Sequence, residues 1–151
     1  FQAHIPYVEI DPGTGHVKIL DYTIGHDCGT MINPDIVRGM VIGGLVHGIG
    51  AALYEKFAYR PDGQFESATF ADYLMPSVYE VPMVKDVDHC TPSPLTSHGQ
   101  KGSGEGGYLG APAAIASAVN DALYPRGVSI NELPMRSHLI EDLLNGGKTN
   151  P

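Results

Sequence analysis

The sequence predicts an α+β fold: mixed hairpins and a short sheet packed with three main helices. Three observations carry that expectation. Residues 4–27 alternate around a turn-forming stretch, the next segment repeats apolar residues every four, and no regular strand–helix–strand alternation follows. At 151 residues the chain has the size of one domain, taken as a single piece over 1–151.

In "HIPYVEI", Ile5, Tyr7 and Glu9 share one face, and Val8 and Ile10 the other. "DPGTGH" is rich in residues that supply positive φ or fix φ near −65°, so "VKILDYTIGHD" should return as the second strand of a hairpin. Asn33 can cap a helix and Pro34 fits its first turn. Apolar residues then recur at Ile36/Val37, Met40/Val41, Leu45/Val46, Ile49 and Leu53, a helical stripe reaching about Phe57.

That helix also carries Gly39, Gly43, Gly44, Gly48 and Gly50, each costing roughly 1 kcal/mol against Ala. Such a set predicts the close approach of another backbone or of a bulky ligand. Arg38, His47, Glu55 and Lys56 interrupt the apolar run, so no membrane span is expected. Further on, "YRPDGQFE" reads as a hairpin turn, Met83 to Cys90 as a strand, and "TPSPLTSHGQKGSGEGG" as a long irregular loop. A helix from Pro112 or Ala113 to Leu123 follows. The last helix should present Leu139, Ile140, Leu143 and Leu144 on one face and stop at Gly146.

A formal charge of −8, with nine scattered Lys and Arg, argues against a nucleic-acid partner. Cys28 and Cys90 make no disulfide framework, and with His26 and His89 they match no usual zinc-ligand spacing. No signal peptide opens the chain, so the expected location is cytoplasmic. The start inside a strand, without Met, reads as part of something larger.

The loop "QKGSGEGGYLG" satisfies G-x-G-x-x-G through Gly102, Gly104 and Gly107. A dinucleotide site needs a buried strand running into the first glycine, and the preceding "TPSPLTSHGQK" offers none. No Gly-Lys-Ser/Thr ends the motif, which excludes a Walker-type loop. What remains is a backbone able to come close to a bulky group, with one carboxylate, Glu105, in its midst. Glu105 is either a candidate general base or a solvated residue on a turn.

Three ordered blocks, "DCGTMINPDIVRGMVIGGLVHGIGAALYEKF", "FADYLMPSVYEVP" and "TPSPLTSHGQKGSGEGGYLGAPAAIASAVNDAL", resemble the C-terminal part of the molybdenum-binding large subunit of the xanthine dehydrogenase family. That family includes aldehyde oxidases, aerobic carbon monoxide dehydrogenases and bacterial N-heterocycle hydroxylases. The resemblance runs from about Ile5 to Leu144. It implies a molybdopterin cofactor, in bacteria often the cytosine dinucleotide, and hydroxylation of an aldehyde, N-heterocycle or similar carbon centre with oxygen derived from water. Glu105 would be the catalytic base. Lys101, Gly102, Ser103 and Gly104 would lie beside the cofactor, and the glycine-rich helix would pass near it. The fold would then be one part of a larger molybdopterin-binding domain.

The resemblance also implies partners: the remainder of the molybdenum subunit, an iron–sulfur subunit with [2Fe-2S] clusters and an FAD subunit, assembled as a dimer of heteromers. Many members read Gly-Gln where this chain has Gly39-Met40, and Met40 cannot donate the amide hydrogen bond that the Gln makes to the cofactor. Tyr108 either lines the substrate pocket or is a core tyrosine. The alternative function is a non-catalytic structural or assembly domain that keeps the fold without the cofactor.

Overall fold

The computed structural model describes residues 1–147. Strand β1 (Gln2–Ile10) pairs antiparallel with β2 (Val17–His26) across the expected turn, where Asp11 accepts from the Gly13 amide at 2.7 Å and Gly15 takes φ +66°. Ile5, Tyr7 and Glu9 point outward, and Val8 and Ile10 pack on the core, as the alternation requires.

The hairpin contains one irregularity with consequences. Tyr7 opposes Asp21 but Val8 opposes Ile19, so Leu20 is an extra residue in β2. A bulge of this kind reverses which positions face inward. Val17 and Ile19 are buried before it; Tyr22, Ile24 and His26 are buried after it. The Asp21 carboxylate accepts from the Tyr22 amide at 2.9 Å beside the bulge.

Helix α1 (Pro34–Leu53) begins as predicted, with the Asn33 side chain accepting from the Ile36 amide at 3.1 Å. It ends a turn short of Phe57. At Tyr54 the chain leaves the helix with φ −128°, and the Glu55 carboxylate folds back against Gly50, where it accepts from the Tyr73 hydroxyl at 2.5 Å. By length and composition alone α1 is apolar enough to cross a membrane, a property that core helices share. In the fold it is a core helix: Val41, Leu45, Ile49 and Leu53 are all buried.

The predicted hairpin around Asp62-Gly63 is reduced to a single bridge, Tyr59 to Phe65. Ser67 accounts for this, because its hydroxyl accepts from the Ala58 amide at 2.9 Å and donates to the Lys56 carbonyl at 2.9 Å, replacing ladder bonds. Strand β3 (Val84–Asp88) is shorter than Met83 to Cys90 and joins β2 in parallel, giving the order β1-β2-β3. With α1 as the crossover, the fold therefore contains one strand–helix–strand unit that the pattern alone did not reveal.

Helix α2 (Ala111–Leu123) lies against β1 and α1, continues into a 3-10 turn at Tyr124–Arg126, and is followed by α3 (Ser137–Leu144). The core joins Tyr22 and Ile24 to Leu45, Ile49, Ile115, Val119, Ile130, Met135 and Ile140. Of the predicted α3 face, Ile140 is buried and Leu139, Leu143 and Leu144 pack around the core; Gly146 takes φ +88° at the stop.

Candidate functional site

The loop 100–110 is held from both ends. At its start, Gly29 and Gln100 form an antiparallel bridge and the Lys101 amide donates to the Cys28 carbonyl at 2.7 Å. At its end, the Gly106 amide donates to the Ser103 carbonyl at 2.9 Å, closing a turn that leads directly into α2. Between these points Gly102 and Gly104 make no close contact: a Cβ on either would meet nothing within 4 Å. The backbone there is bare and presented to open space.

Three of the five α1 glycines are explained by packing within the chain. A Cβ on Gly44 would stand 2.4 Å from the Gly106 carbonyl oxygen, one on Gly48 2.5 Å from the Ala111 Cβ, and one on Gly50 2.0 Å from Glu55. The close approach predicted for this helix is thus that of loop 106–111 and of Glu55. Gly39 and Gly43 face open space. Of the two expected causes, another chain segment and a bulky ligand, the chain itself supplies the first at Gly44, Gly48 and Gly50.

The loop forms one wall of a cleft of about 590 Å³, lined by Gly102, Ser103, Gly104 and Glu105 on one side and by Gln2, His4 and His26 on the other. The bulge in β2 is what turns His26 inward. His4 Nε2 donates to the Gln2 side-chain oxygen at 3.1 Å, leaving Nδ1 to accept from the buried Tyr22 hydroxyl at 3.0 Å. Burial lowers the His4 pKa, which favours this neutral form, and burial also pushes the Tyr22 phenol up, keeping it a donor. Buried His26 is different, since its Nδ1 has no hydrogen-bond partner among the described residues.

Asp27 lies directly behind the cleft. Its Oδ1 accepts from the Gly29 amide at 2.8 Å and the Thr91 amide at 3.2 Å, and its Oδ2 from Lys101 Nζ at 3.0 Å. The Gly29 amide and then the Lys101 ammonium hold its carboxyl well below the usual carboxylate range.

Of the sequence-predicted residues, Glu105, Gly102, Ser103 and Gly104 come together at the cleft. Glu105 is exposed at its rim, not sparsely solvated. Lys101, expected beside the cofactor, is outside the lining and sends its ammonium to Asp27. Met40 is partly exposed on α1, outside the residues lining the cleft. Tyr108 is also outside that lining; its amide lies over Gly44, 3.0 Å from where a Cβ would stand. Gln2, His4 and Asp27 were not predicted as site residues. The one signal for the inward turn of this wall was the shift of buried parity from Val17 and Ile19 to Tyr22 and Ile24 within β2. Among the described residues, no group of three His, Cys, Asp or Glu comes together to hold a metal ion. A cleft of similar volume, about 580 Å³, between α2 and residues 130–135 carries none of the predicted residues.

A bare glycine backbone facing a cleft lined by Gln2, His4 and His26 suits a large polar group. Residues 1–82 match the family of molybdopterin cofactor-binding domains. The chain belongs to that family.

Its relatives agree. The chain is 46% identical over 133 residues to the nicotine 6-hydroxylase large subunit of Paenarthrobacter nicotinovorans, covering 87% of this chain and 16% of that protein. It is 32% identical over 140 residues to the carbon monoxide dehydrogenase large chain of Hydrogenophaga pseudoflava, covering 93% of this chain and 17% of the relative. Among solved structures, quinoline 2-oxidoreductase from Pseudomonas putida 86 superposes with a TM-score of 0.90 at 40% identity, over 93% of this chain and 18% of its own. The molybdopterin-binding family and the α+β architecture expected from sequence are both borne out. The chain spans under a fifth of the length of each of these proteins.

Proposed function

We propose that this chain is the C-terminal part of the catalytic large subunit of a molybdenum hydroxylase, and that Glu105 is its general base. The observation carrying this reading is the cleft in which the only acidic side chain of the lining, Glu105, stands next to the bare backbone of Gly102–Gly104. When bound, a molybdopterin cofactor would supply oxo-transfer and two-electron redox chemistry. The chain's own residues do the rest. The main chain of 102–104 would lie along one side of the cofactor, the Gln2–His4–Tyr22 hydrogen bonds would fix the facing wall, and the Glu105 carboxylate would accept a proton from the water-derived nucleophile.

Glu105 is exposed within this chain. We infer that the remaining wall of the cleft comes from the rest of the large subunit, with the cofactor as the cytosine dinucleotide form. On this reading an iron–sulfur subunit with [2Fe-2S] clusters and an FAD subunit would take the electrons, in a cytoplasmic dimer of heteromers. The 46% identity to a nicotine 6-hydroxylase subunit and 40% to a quinoline 2-oxidoreductase, against 32% to a carbon monoxide dehydrogenase chain, favours an N-heteroaromatic substrate hydroxylated at ring carbon.

The test is Glu105→Gln in the complete enzyme, assayed on N-heteroaromatic rings. Turnover should fall by about 10²-fold or more, the lower range for loss of a general base, while molybdenum content stays stoichiometric. Near wild-type turnover would remove Glu105 from the role. One observation favours a second reading, a non-catalytic scaffold: Met40 stands on an α1 face where Gly39 and Gly43 have no neighbours, and it offers no amide to a cofactor. Absence of molybdenum from the natural complex would support that reading instead.

A further inference from the structure

We propose that Asp27 and Lys101 form a clamp acting as one unit to position the Glu105 turn, which makes Asp27 a positioning residue of the cleft. The inference rests on the reading of Glu105 given above, but its geometry stands independently. Three chain segments converge on one carboxylate. The end of β2 supplies Asp27 and Gly29, the start of the irregular loop supplies the Thr91 amide, and the glycine loop supplies the Lys101 ammonium.

Beyond Lys101 the chain offers almost no side chains to fix its path. Gly102 and Gly104 have no side chain, and a Cβ on either would meet nothing, so neither holds Glu105 in place through packing. The next fixed points are Gly106, whose carbonyl oxygen packs on Gly44 of α1, and Gly107, where a Cβ would stand 1.9 Å from the Val41 carbonyl oxygen. Glu105 therefore hangs between two anchors, one packed on α1 and one tied to Asp27. The α1 anchor is steric and holds the far side of the turn. The Asp27 anchor is electrostatic and holds the side that bears the bare backbone.

The pair is shielded: the side chains of Lys101 and Asp27 are 23% and 11% exposed. In that setting, removing one partner leaves the other charge uncompensated, so the loop should shift and not merely lose one bond. The Lys101 amide bond to the Cys28 carbonyl keeps the loop near β2 but fixes no direction for the residues that follow. The ammonium also lies 5.5 Å from the centre of the Phe1 ring.

The experiment uses the assembled enzyme with Asp27→Asn, Lys101→Gln, the double variant, Asp27→Glu and Glu105→Gln in parallel. Hydrogen exchange of the 102–106 amides is compared with that of β2 and α1 core amides, and kcat and KM are measured alongside. Each single charge-removing variant should accelerate exchange at 102–106 by about tenfold or more and lower kcat by about 10- to 100-fold with KM little changed, the scale expected when a reacting group is misplaced by about 1 Å. The double variant should be no worse than the more severe single, and Asp27→Glu should recover part of the loss.

Additive effects, unchanged loop exchange, or acceleration spread evenly through the core would each overturn the proposal. If Asp27→Asn does not assemble, Lys101→Gln alone decides the matter, because Lys101 is the more exposed partner. Should Glu105→Gln retain turnover while the clamp variants still loosen only 102–106, the base assignment fails and the clamp stands.

Discussion

At Gly107 the main chain takes φ +91°, and a Cβ there would stand 1.9 Å from the carbonyl oxygen of Val41. At Gly102 a Cβ would meet nothing. The two glycines of one motif therefore serve opposite ends, and substitution separates them. Gly107→Ala should cost on the order of 1–3 kcal/mol for backbone strain alone, with the collision adding to it, read as a lowered denaturation midpoint of the complete protein. Gly102→Ala should leave that midpoint within about 0.5 kcal/mol yet reduce cofactor loading, measured as molybdenum per subunit. Equal effects of the two on stability would refute the distinction. The place of Glu105 at the cleft was legible in the sequence because glycines flank it and leave the loop backbone bare. Asp27 and His26 were not, since their importance depends on residues far along the chain, Lys101 for one and the bulge at Leu20 for the other.

The parallel pairing of β3 with β2 places Asp86 beside Ile24 and Asp88 beside His26, so both carboxylates share the face that is buried in β2. Asp86 Oδ1 is buried without a partner, and burial, with repulsion from Asp88, raises its pKa. A carboxyl whose native pKa lies above its unfolded value binds protons more tightly when folded. Stability is then lost as pH rises through the interval between the two values. Asp86→Asn should accordingly raise the melting temperature at pH 7 and change it little in acid, below the ordinary carboxylate range; no difference between the two pH values would contradict the assignment. Asp27 has the reverse sign, because its depressed pKa makes its contribution present at neutral pH and lost as pH falls. At the element scale the sequence served well wherever local chemistry decides. The Asn33-Pro34 start of α1, the "DPGTGH" turn and the Gly146 stop were all visible. The end of α1 and the collapse of the second hairpin to one bridge were not, because Glu55 and Ser67 divert backbone and side-chain bonds in ways that only the folded neighbourhood reveals.

Across the described residues, apolar side chains remain uncovered: Phe57, Phe70, Met75, Val78, Tyr79 and Met83 in the stretch between α1 and β3, Leu95 in the irregular loop, and Leu109 in the cleft lining. Large apolar side chains exposed in this number are what a surface meant for a partner leaves uncovered. The chain expressed alone should self-associate and bind a hydrophobic dye, and co-production with the rest of the large subunit should suppress both; a monodisperse, dye-silent chain would argue against that fit. The molybdopterin-binding family was legible from three ordered blocks, but the sheet order was not. Parallel pairing leaves no local signature, and β2 and β3 are joined only through the intervening helix and the loosely structured stretch after it. That connection also sets an order of events during folding. The hairpin can form from neighbours in sequence, whereas β3 must wait until the chain from Tyr22 to Val84 has closed a long loop. In pulse-labelled refolding the β1–β2 amides would gain protection early and β3 late, so the strand carrying Asp86 is the last to be admitted to the sheet.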